Sequence, residues 1–187
     1  MKGAVLHAGT CPAVSLNFRM EFLKSQEPKK SVVMIDLKPR PSWDSIWMDF
    51  ATHLSLRSTC RRASVGCVVV ADDNSIVLGL GYNGGPKGLN NDCLSDEPGK
   101  CGHLHAEINC LIKTNYRDAS PKKVYLTLSP CYNCSVALIN AGVQEVIYRD
   151  EYRDLTGPAL LSKAGIQVRQ FPEKRLPERY LHEPENR

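Results

Sequence analysis

Two short motifs in the middle of the chain constrain its fold more than any other feature of the sequence. Residues 105–107 read His-Ala-Glu, and residues 130–134 read Pro-Cys-Tyr-Asn-Cys. One imidazole and two thiolates are ligands that Zn²⁺ prefers in proteins. We therefore predict that the fold brings His105, Cys131 and Cys134 together around one zinc ion.

Three protein ligands leave one position of a tetrahedral zinc open, which is typical of catalytic rather than structural zinc sites. Zinc lowers the pKa of a water in that position to roughly 7, so that a nucleophile forms at neutral pH. Glu107 lies two residues after His105, and we predict that it transfers protons as the catalytic acid–base group without binding the metal. The alternative is a closed site with four protein ligands, in which Glu107 is an ordinary acid at a helix start.

Each motif is predicted to open a helix. Apolar residues at 108, 111 and 112 predict a helix over 105–116, and apolar residues at 136, 138 and 139 predict a second one over 131–141. The metal ligands then fall on first helical turns, where free N–H groups and the helix dipole favour a thiolate over a thiol.

The remaining pattern predicts an α/β fold. Ser42 is a predicted N-cap for a helix that runs to about Ser58 and carries Trp43, Ile46, Trp47, Phe50 and Leu54 on one face. A further helix is expected at 156–164, and strands are expected at 65–71, 75–82, 123–128, 144–148 and 166–170. Residues 72–74 join the first two strands as a hairpin. Alternation of strands and helices after a hairpin predicts three layers, with a mixed five-stranded sheet covered by helices on both faces.

The domain organisation follows from composition. Residues 1–41 show no sustained period, and we expect a partly disordered extension there, a folded domain over 42–170 and a tail over 171–187. A native start at Met34 is an open alternative. No apolar run approaches 18 residues, and the N-terminal stretches do not form a proper signal peptide, so we expect a cytoplasmic protein without a membrane segment.

The charge distribution argues against nucleic acid as a partner. The net charge of the whole chain is +4, but residues 42–170 carry 13 basic and 13 acidic side chains, while residues 1–41 carry 7 and 3. A protein that binds a polyanion usually has a basic face on its folded domain. The neutral core therefore favours a small substrate.

A third motif narrows the chemistry. Residues 81–88 read Gly-Tyr-Asn-Gly-Gly-Pro-Lys-Gly, residues 105–109 read His-Ala-Glu-Ile-Asn, and residues 128–131 read Leu-Ser-Pro-Cys. With these motifs the chain resembles the zinc-dependent deoxycytidylate (dCMP) deaminase family over about 42–170, and in particular its bacterial and phage branch. The resemblance implies a cytidine deaminase-like fold and conversion of dCMP to dUMP for thymidylate synthesis. It also implies a homo-oligomer, often a hexamer, that dCTP activates and dTTP inhibits.

The resemblance also implies substrate contacts. Asn83 would hydrogen-bond the sugar and the base edge, and the backbone at Ala106 and Ser129 would flank the cytosine. Tyr148 would stack on the base or contact the sugar. The alternatives are a turn residue that tolerates positive φ for Asn83 and a tyrosine at the edge of the core for Tyr148.

The phosphate of a nucleotide needs cations or N–H donors. The basic residues closest in sequence to the motif loops are Arg57, Arg61, Arg62 and Lys87. Each of them alone is otherwise a solvated surface charge.

A second metal site is predicted in the long loop after the hairpin. Some phage members of the family carry a second zinc in this region, and Cys60, Cys93, Cys101 and His103 form a Cys₃His set that suits a closed structural site. The alternative is four unpaired side chains on a loop. Cys67 and Cys110 are predicted core residues, and Cys11 receives no role.

Three other functions stay open. A tRNA adenosine deaminase or a nucleic-acid cytidine deaminase shares the zinc motifs but needs a basic or aromatic groove for its strand. A free-nucleoside deaminase differs only in its lack of phosphate recognition. A non-catalytic zinc scaffold would keep the ligands but has no need of Glu107.

Overall fold

The computed structural model of this chain describes residues 40–97, 100–115 and 120–172. The predicted extension, apart from its last two residues, and the predicted tail, apart from its first two, lie outside this part. Within it, none of the helices has both the length and the apolar character needed to cross a membrane.

The described residues form one five-stranded sheet. The strands in chain order are β1 (Gly66–Ala71), β2 (Val77–Tyr82), β3 (Lys122–Leu128), β4 (Val143–Asp150) and β5 (Gln167–Gln170). Their order in the sheet is β2-β1-β3-β4-β5, with β1 antiparallel to β2 and β3, and with β3, β4 and β5 parallel. The predicted mixed sheet is therefore confirmed, and each strand begins and ends within two residues of its predicted position.

Four helices accompany the sheet in the described part of the chain: α1 (Trp43–Ser55), α2 (Ala106–Leu111), α3 (Tyr132–Asn140) and α4 (Thr156–Lys163). The hydroxyl of Ser42 accepts the N–H of Ser45 at 3.1 Å, which confirms the predicted N-cap of α1. Helix α2 ends at 111 rather than at the predicted 116. The hydroxyl of Thr114 donates to the Cys110 carbonyl at 3.1 Å, a bond that competes with continued helix.

Helix α1 covers one face of the sheet. Met48 and Ala51 are buried against a cluster from the sheet that consists of Val68, Val70, Tyr125 and Ile147. The predicted apolar face is only partly right, because Trp43 is 51% exposed and stacks on Trp47, and Phe50 is 36% exposed. Helix α1 passes very close to β1 at Gly66, where a Cβ would lie 1.9 Å from the Ala51 carbonyl oxygen. A glycine is required at that position.

The other three helices cover the opposite face. Ala106 and Cys110 from α2, Leu138 from α3 and Leu161 from α4 pack on the alternate side chains of the central strands: Cys67, Val69, Val124, Leu126 and Val146. Cys67 and Cys110 are fully buried, as predicted. This arrangement confirms the three layers.

The parallel strands β3 and β4 end side by side, with Leu128 opposite Asp150. Ligands of open α/β sheets bind at such carboxyl ends. The chain leaves β3 through Ser129 and Pro130 into α3, and it leaves β4 through residues 151–155 into α4. Functional side chains are therefore expected at this edge of the sheet.

A candidate zinc site and its cavity

The predicted ligands come together at the starts of two helices. His105 is the N-cap residue of α2, Cys131 is the N-cap residue of α3, and Cys134 lies in the first turn of α3. Nδ1 of His105 lies 3.6 Å from Sγ of Cys131 and 3.4 Å from Sγ of Cys134. Ligands bound tetrahedrally to zinc at about 2.0 Å (N) and about 2.3 Å (S) are about 3.5 Å apart. The three side chains therefore fit a zinc ion.

The pKa values of these three side chains depend on one another. Hydrogen bonds from Cys134 and His105 lower the pKa of the Cys131 thiol to about 4. The thiolate of Cys131 and burial raise the pKa of Cys134 above its ordinary value. A thiol that keeps its proton must release it when a metal binds. The hydrogen bond with Cys131 in turn raises the pKa of His105. Metal binding would convert the second thiol into a thiolate ligand.

Glu107 lies beside these ligands but is not a member of the ligand group. It is 4% exposed, and burial raises its pKa to about 6. A carboxyl group with a pKa close to neutrality both accepts and returns a proton at low cost. The geometry thus agrees with the predicted acid–base role.

His105, Cys131 and Glu107 line one cavity of about 240 Å³, whereas Cys134 is not part of its lining. Of the predicted substrate contacts, Asn83, Ala106 and Ser129 line it as well. Tyr148 does not. It is 9% exposed and belongs to the core cluster beneath the helices, the place that the alternative interpretation gives it.

Asn83 has a structural role that the sequence did not reveal. Its Oδ1 accepts the N–H of Val65 at 2.8 Å, and its Nδ2 donates to the carbonyl of Ala63 at 2.8 Å. Among the described non-glycine residues, positive φ occurs at Asn74, so the turn-residue alternative for Asn83 is excluded. An amide offers two donors and two lone pairs. One of each therefore stays available to a ligand while the others hold the cavity wall at 63–65.

Sequence reasoning missed two lining residues, Tyr152 and Arg153. Both belong to the connection between β4 and α4. The N–H of Tyr152 donates to Oγ of Ser129 at 2.7 Å, and the guanidinium of Arg153 lies 5.3 Å from the centre of the Tyr152 ring. Their position just after a parallel strand was the available signal.

The predicted phosphate contacts are mostly elsewhere. Arg62 lines the cavity, whereas Arg57, Arg61 and Lys87 are exposed and do not. The guanidinium of Arg62 donates to the carbonyl of Ser95 at 2.6 Å and to that of Glu97. Two of its N–H donors are thus already used by the protein itself.

A second group of ligand atoms lines the same cavity. Side-chain ligand atoms of Cys60, Cys101 and His103 lie within 4.8 Å of one another, and Cys93 is not part of this group. Both ring nitrogens of His103 are buried without a hydrogen-bond partner among the described residues. Burial acts to raise the pKa of the Cys60 thiol, but the N–H groups of Arg62 and Ala63, together with the adjacent His103 side chain, outweigh it and lower that pKa. Two sulfurs and an imidazole that lacks a partner fit a metal.

Comparison with known proteins places this site in a family. The family model for the cytidine and deoxycytidylate deaminase zinc-binding region matches residues 41–150. A deoxycytidylate deaminase of Saccharomyces cerevisiae is 34% identical over 170 residues, which cover 84% of this chain and 52% of that protein. A deoxycytidylate deaminase of a Mycobacterium phage is 35% identical over 127 residues, which cover 60% of this chain and 98% of that protein.

A solved structure has the same fold. The dCMP deaminase of the cyanophage S-TIM5, crystallised with dCMP and dUMP, is 33% identical and superposes with a TM-score of 0.62 over 72% of this chain and all of that one. The chain spans about half the length of the yeast relatives that it matches. The fold and the family resemblance predicted from the motifs are confirmed.

Proposed function

Because this chain belongs to the cytidine and deoxycytidylate deaminase family, we propose that it hydrolyses dCMP to dUMP and ammonia and so supplies a precursor of thymidylate. One observation carries the proposal: a buried Glu107 with a pKa of about 6 lines the same cavity as His105 and Cys131, two members of the three-residue group that fits zinc. A scaffold protein has no use for such a carboxyl group, which binds no metal.

In the proposed mechanism, His105, Cys131 and Cys134 hold the catalytic zinc. Zinc, when bound there, supplies a Lewis acid that lets water act as a nucleophile at neutral pH. The Glu107 carboxylate accepts a proton from the attacking water and donates it to N3 of the cytosine. It then takes the proton of the hydroxyl group that water has added to C4 and gives it to the amino group, so that C4 becomes a carbonyl and the amino group leaves as ammonia. Burial of Glu107 excludes competing water from these transfers.

The substrate contacts are part of the proposal. The free N–H and lone pair of Asn83 face the sugar and the base edge, and the backbone at Ala106 and Ser129 flanks the cytosine. Arg153 binds the 5′-phosphate, since its guanidinium lines the cavity while that of Arg62 is bonded to two carbonyls. We do not propose the expected contact between substrate and Tyr148, because Tyr148 does not line the cavity.

Cys60, Cys101 and His103 are proposed to hold a second, structural zinc, with Cys93 as the expected fourth ligand. Both His103 nitrogens support this proposal, because they lack partners among the described residues. A deaminase domain over 42–170, a homo-oligomer such as a hexamer, activation by dCTP, inhibition by dTTP and a cytoplasmic location likewise remain proposals.

The test is a parallel assay of the zinc-loaded protein. Loss of absorbance is followed with dCMP, deoxycytidine, cytidine, dCTP and single-stranded DNA and RNA. A charge-assisted hydrogen bond to phosphate contributes about 1.5–3 kcal/mol, so kcat/KM for dCMP should exceed that for deoxycytidine by roughly tenfold or more. Equal values for dCMP and deoxycytidine would assign the protein to nucleoside salvage. No turnover of any of these compounds would favour the scaffold.

A further inference from the structure

The connection between β4 and α4 has no regular secondary structure, yet it carries a positively charged side chain, that of Arg153, to the cavity. Residues 151–155 belong to neither a strand nor a helix, and two of them, Tyr152 and Arg153, line the cavity. A loop side chain is only as well placed as the backbone that carries it. What holds this backbone therefore decides where the guanidinium of Arg153 lies.

One buried hydroxyl holds the first part of the connection. Ser129 is 3% exposed, and its N–H donates to the carbonyl of Asp150 at 2.8 Å, which continues the pairing of β3 with β4. Its Oγ accepts the N–H of Tyr152 at 2.7 Å, two residues further along the departing chain. The serine thus fixes the chain on both sides of residue 151.

The second part of the connection is held at the start of α4. Oδ1 of Asp154 accepts the N–H of Thr156 at 2.9 Å. Gly157, in the first turn of α4, lies against the Pro130 carbonyl. Arg153 lies between these two anchors, so a shift at Tyr152 moves its side chain directly.

The guanidinium of Arg153 has donors to offer. It lies over the ring of Tyr152, and the structure gives it no hydrogen bond to a carbonyl or carboxylate among the described residues. The other arginine of the cavity, Arg62, donates to two backbone carbonyls. An anion in the cavity therefore meets in Arg153 a guanidinium with no hydrogen bond to an acceptor among the described residues, whereas two donors of Arg62 are already bonded.

We infer that the Ser129 hydroxyl is a positioning group that sets the Tyr152–Arg153 segment over the cavity and thereby determines how strongly the site prefers a nucleotide to its nucleoside. The inference rests on the proposed function and adds to it a residue that acts through Arg153. Displacements of about 1 Å in a substrate-positioning group are costly for turnover. The effect should therefore fall on substrates that carry a 5′-phosphate.

A double-mutant cycle tests this coupling. The variants are Ser129→Ala, Arg153→Ala and their combination, and the readout is the ratio of kcat/KM for dCMP to kcat/KM for deoxycytidine. Arg153→Ala should lower the ratio by roughly tenfold or more, as loss of a charge-assisted bond predicts. Ser129→Ala should lower it by about fivefold, the equivalent of one neutral hydrogen bond, and mainly through KM. In the Arg153→Ala background, Ser129→Ala should leave the ratio unchanged.

Two further variants separate positioning from general damage. Ser129→Thr keeps the hydroxyl and should retain most of the wild-type ratio, while zinc content and melting temperature report on folding. If Ser129→Ala does not fold, Ser129→Cys, a weaker acceptor of similar size, takes its place in the cycle. An unchanged ratio in Ser129→Ala or Ser129→Cys, or an equal loss in the presence and absence of Arg153, overturns the inference. A wild-type protein that does not prefer dCMP overturns the proposed function instead.

Discussion

Glu107 is buried beside the predicted zinc ligands without being one of them. Its substitution therefore tests the proposed mechanism most directly. Glu107→Gln keeps the size of the side chain and removes its ability to move protons. We expect turnover to fall by about 10²- to 10⁴-fold, the usual contribution of an acid–base group, while zinc content stays at the wild-type level. Steady-state kinetics and metal analysis on the same preparation measure both quantities.

Glu97 provides the matched control for this substitution. Its side chain is 65% exposed and does not line the cavity, so Glu97→Gln should be nearly silent. A Glu107→Gln protein that keeps more than a tenth of the wild-type rate would remove Glu107 from the mechanism.

Asn83 is expected to affect stability as well as turnover. Asn83→Ala leaves the buried N–H of Val65 without its partner and removes the Asn83 bond to the carbonyl of Ala63, which then keeps only its bond from the Ser58 hydroxyl. A buried polar group without a partner costs about 1–3 kcal/mol, so the free energy of unfolding should drop by about that amount. Urea unfolding and the KM for dCMP should both change, with zinc retained. Slower turnover at unchanged stability would mean that these two bonds carry little energy.

At the residue scale, the sequence predicts which ligand-type side chains come together better than it predicts which side chains line the cavity. His105, Cys131 and Cys134 were recognisable because metal binding needs particular atoms at short spacings near helix starts. Tyr148 and Arg153 were not, because the pleat of β4 and the path of an irregular connection decide which of them reaches the cavity. Tyr148 lies on the same side of β4 as Val146, two residues earlier, and both side chains belong to the core.

At the element scale, the close contact between α4 and the Pro130–Cys131 segment depends on Gly157. A Cβ at this position would lie 2.0 Å from the Pro130 carbonyl oxygen and 2.8 Å from the carbonyl carbon of Cys131. Gly157→Ala should therefore push the Cys131 ligand away and destabilise the fold by about 1–3 kcal/mol, as overpacking does.

Zinc retention against a chelator and the melting temperature measure these two effects. Ser162→Ala, on the exposed side of the same helix, serves as the control and should change neither. If zinc release from Gly157→Ala is as slow as from the wild type, α4 does not hold the Pro130–Cys131 segment in place.

Arg62 connects two segments that the sequence separates by more than 30 residues. Its guanidinium donates to the carbonyls of Ser95 and Glu97 and so ties the long loop to the segment before β1. Arg62→Gln should make the loop over 83–103 more sensitive to proteolysis and raise the KM for substrate. Arg61→Gln changes the same charge at an exposed neighbour that lies outside the cavity lining. Equal proteolysis rates for the two variants would contradict the role of Arg62.

Element positions were largely predictable, and element ends less so. A short continuous apolar run located β1, and a capping serine with apolar residues at helical spacing located α1, since these signals are local. The early end of α2 depends on the Thr114 hydroxyl, which competes with the helix for the Cys110 carbonyl. The exposed side of α1 depends on which of its apolar residues meet the sheet, a property of packing that periodicity alone does not determine.

At the scale of the whole domain, the fold brings five members of the two ligand groups to the lining of one cavity, although these residues span 60 to 131. The order of strands and helices predicted three layers because parallel strands need helical crossovers. The pairing of β1 with both β2 and β3 joins residues that lie far apart in the sequence, and no local pattern reports it. Metal binding at one group can therefore stabilise the wall of the other.

The last prediction concerns this metal content. Purified protein should contain about two zinc ions per chain, one for each ligand group. Cys101→Ser should remove the second ion and lower the melting temperature, because an ion that binds the folded state alone stabilises it. Cys93→Ser should do the same if Cys93 is the fourth ligand. Val70→Ala, a change in the core under α1 on the face of the sheet opposite the ligand helices, controls for simple destabilisation and should keep both ions. A wild-type content of one zinc per chain would reject the second site and leave the catalytic group intact.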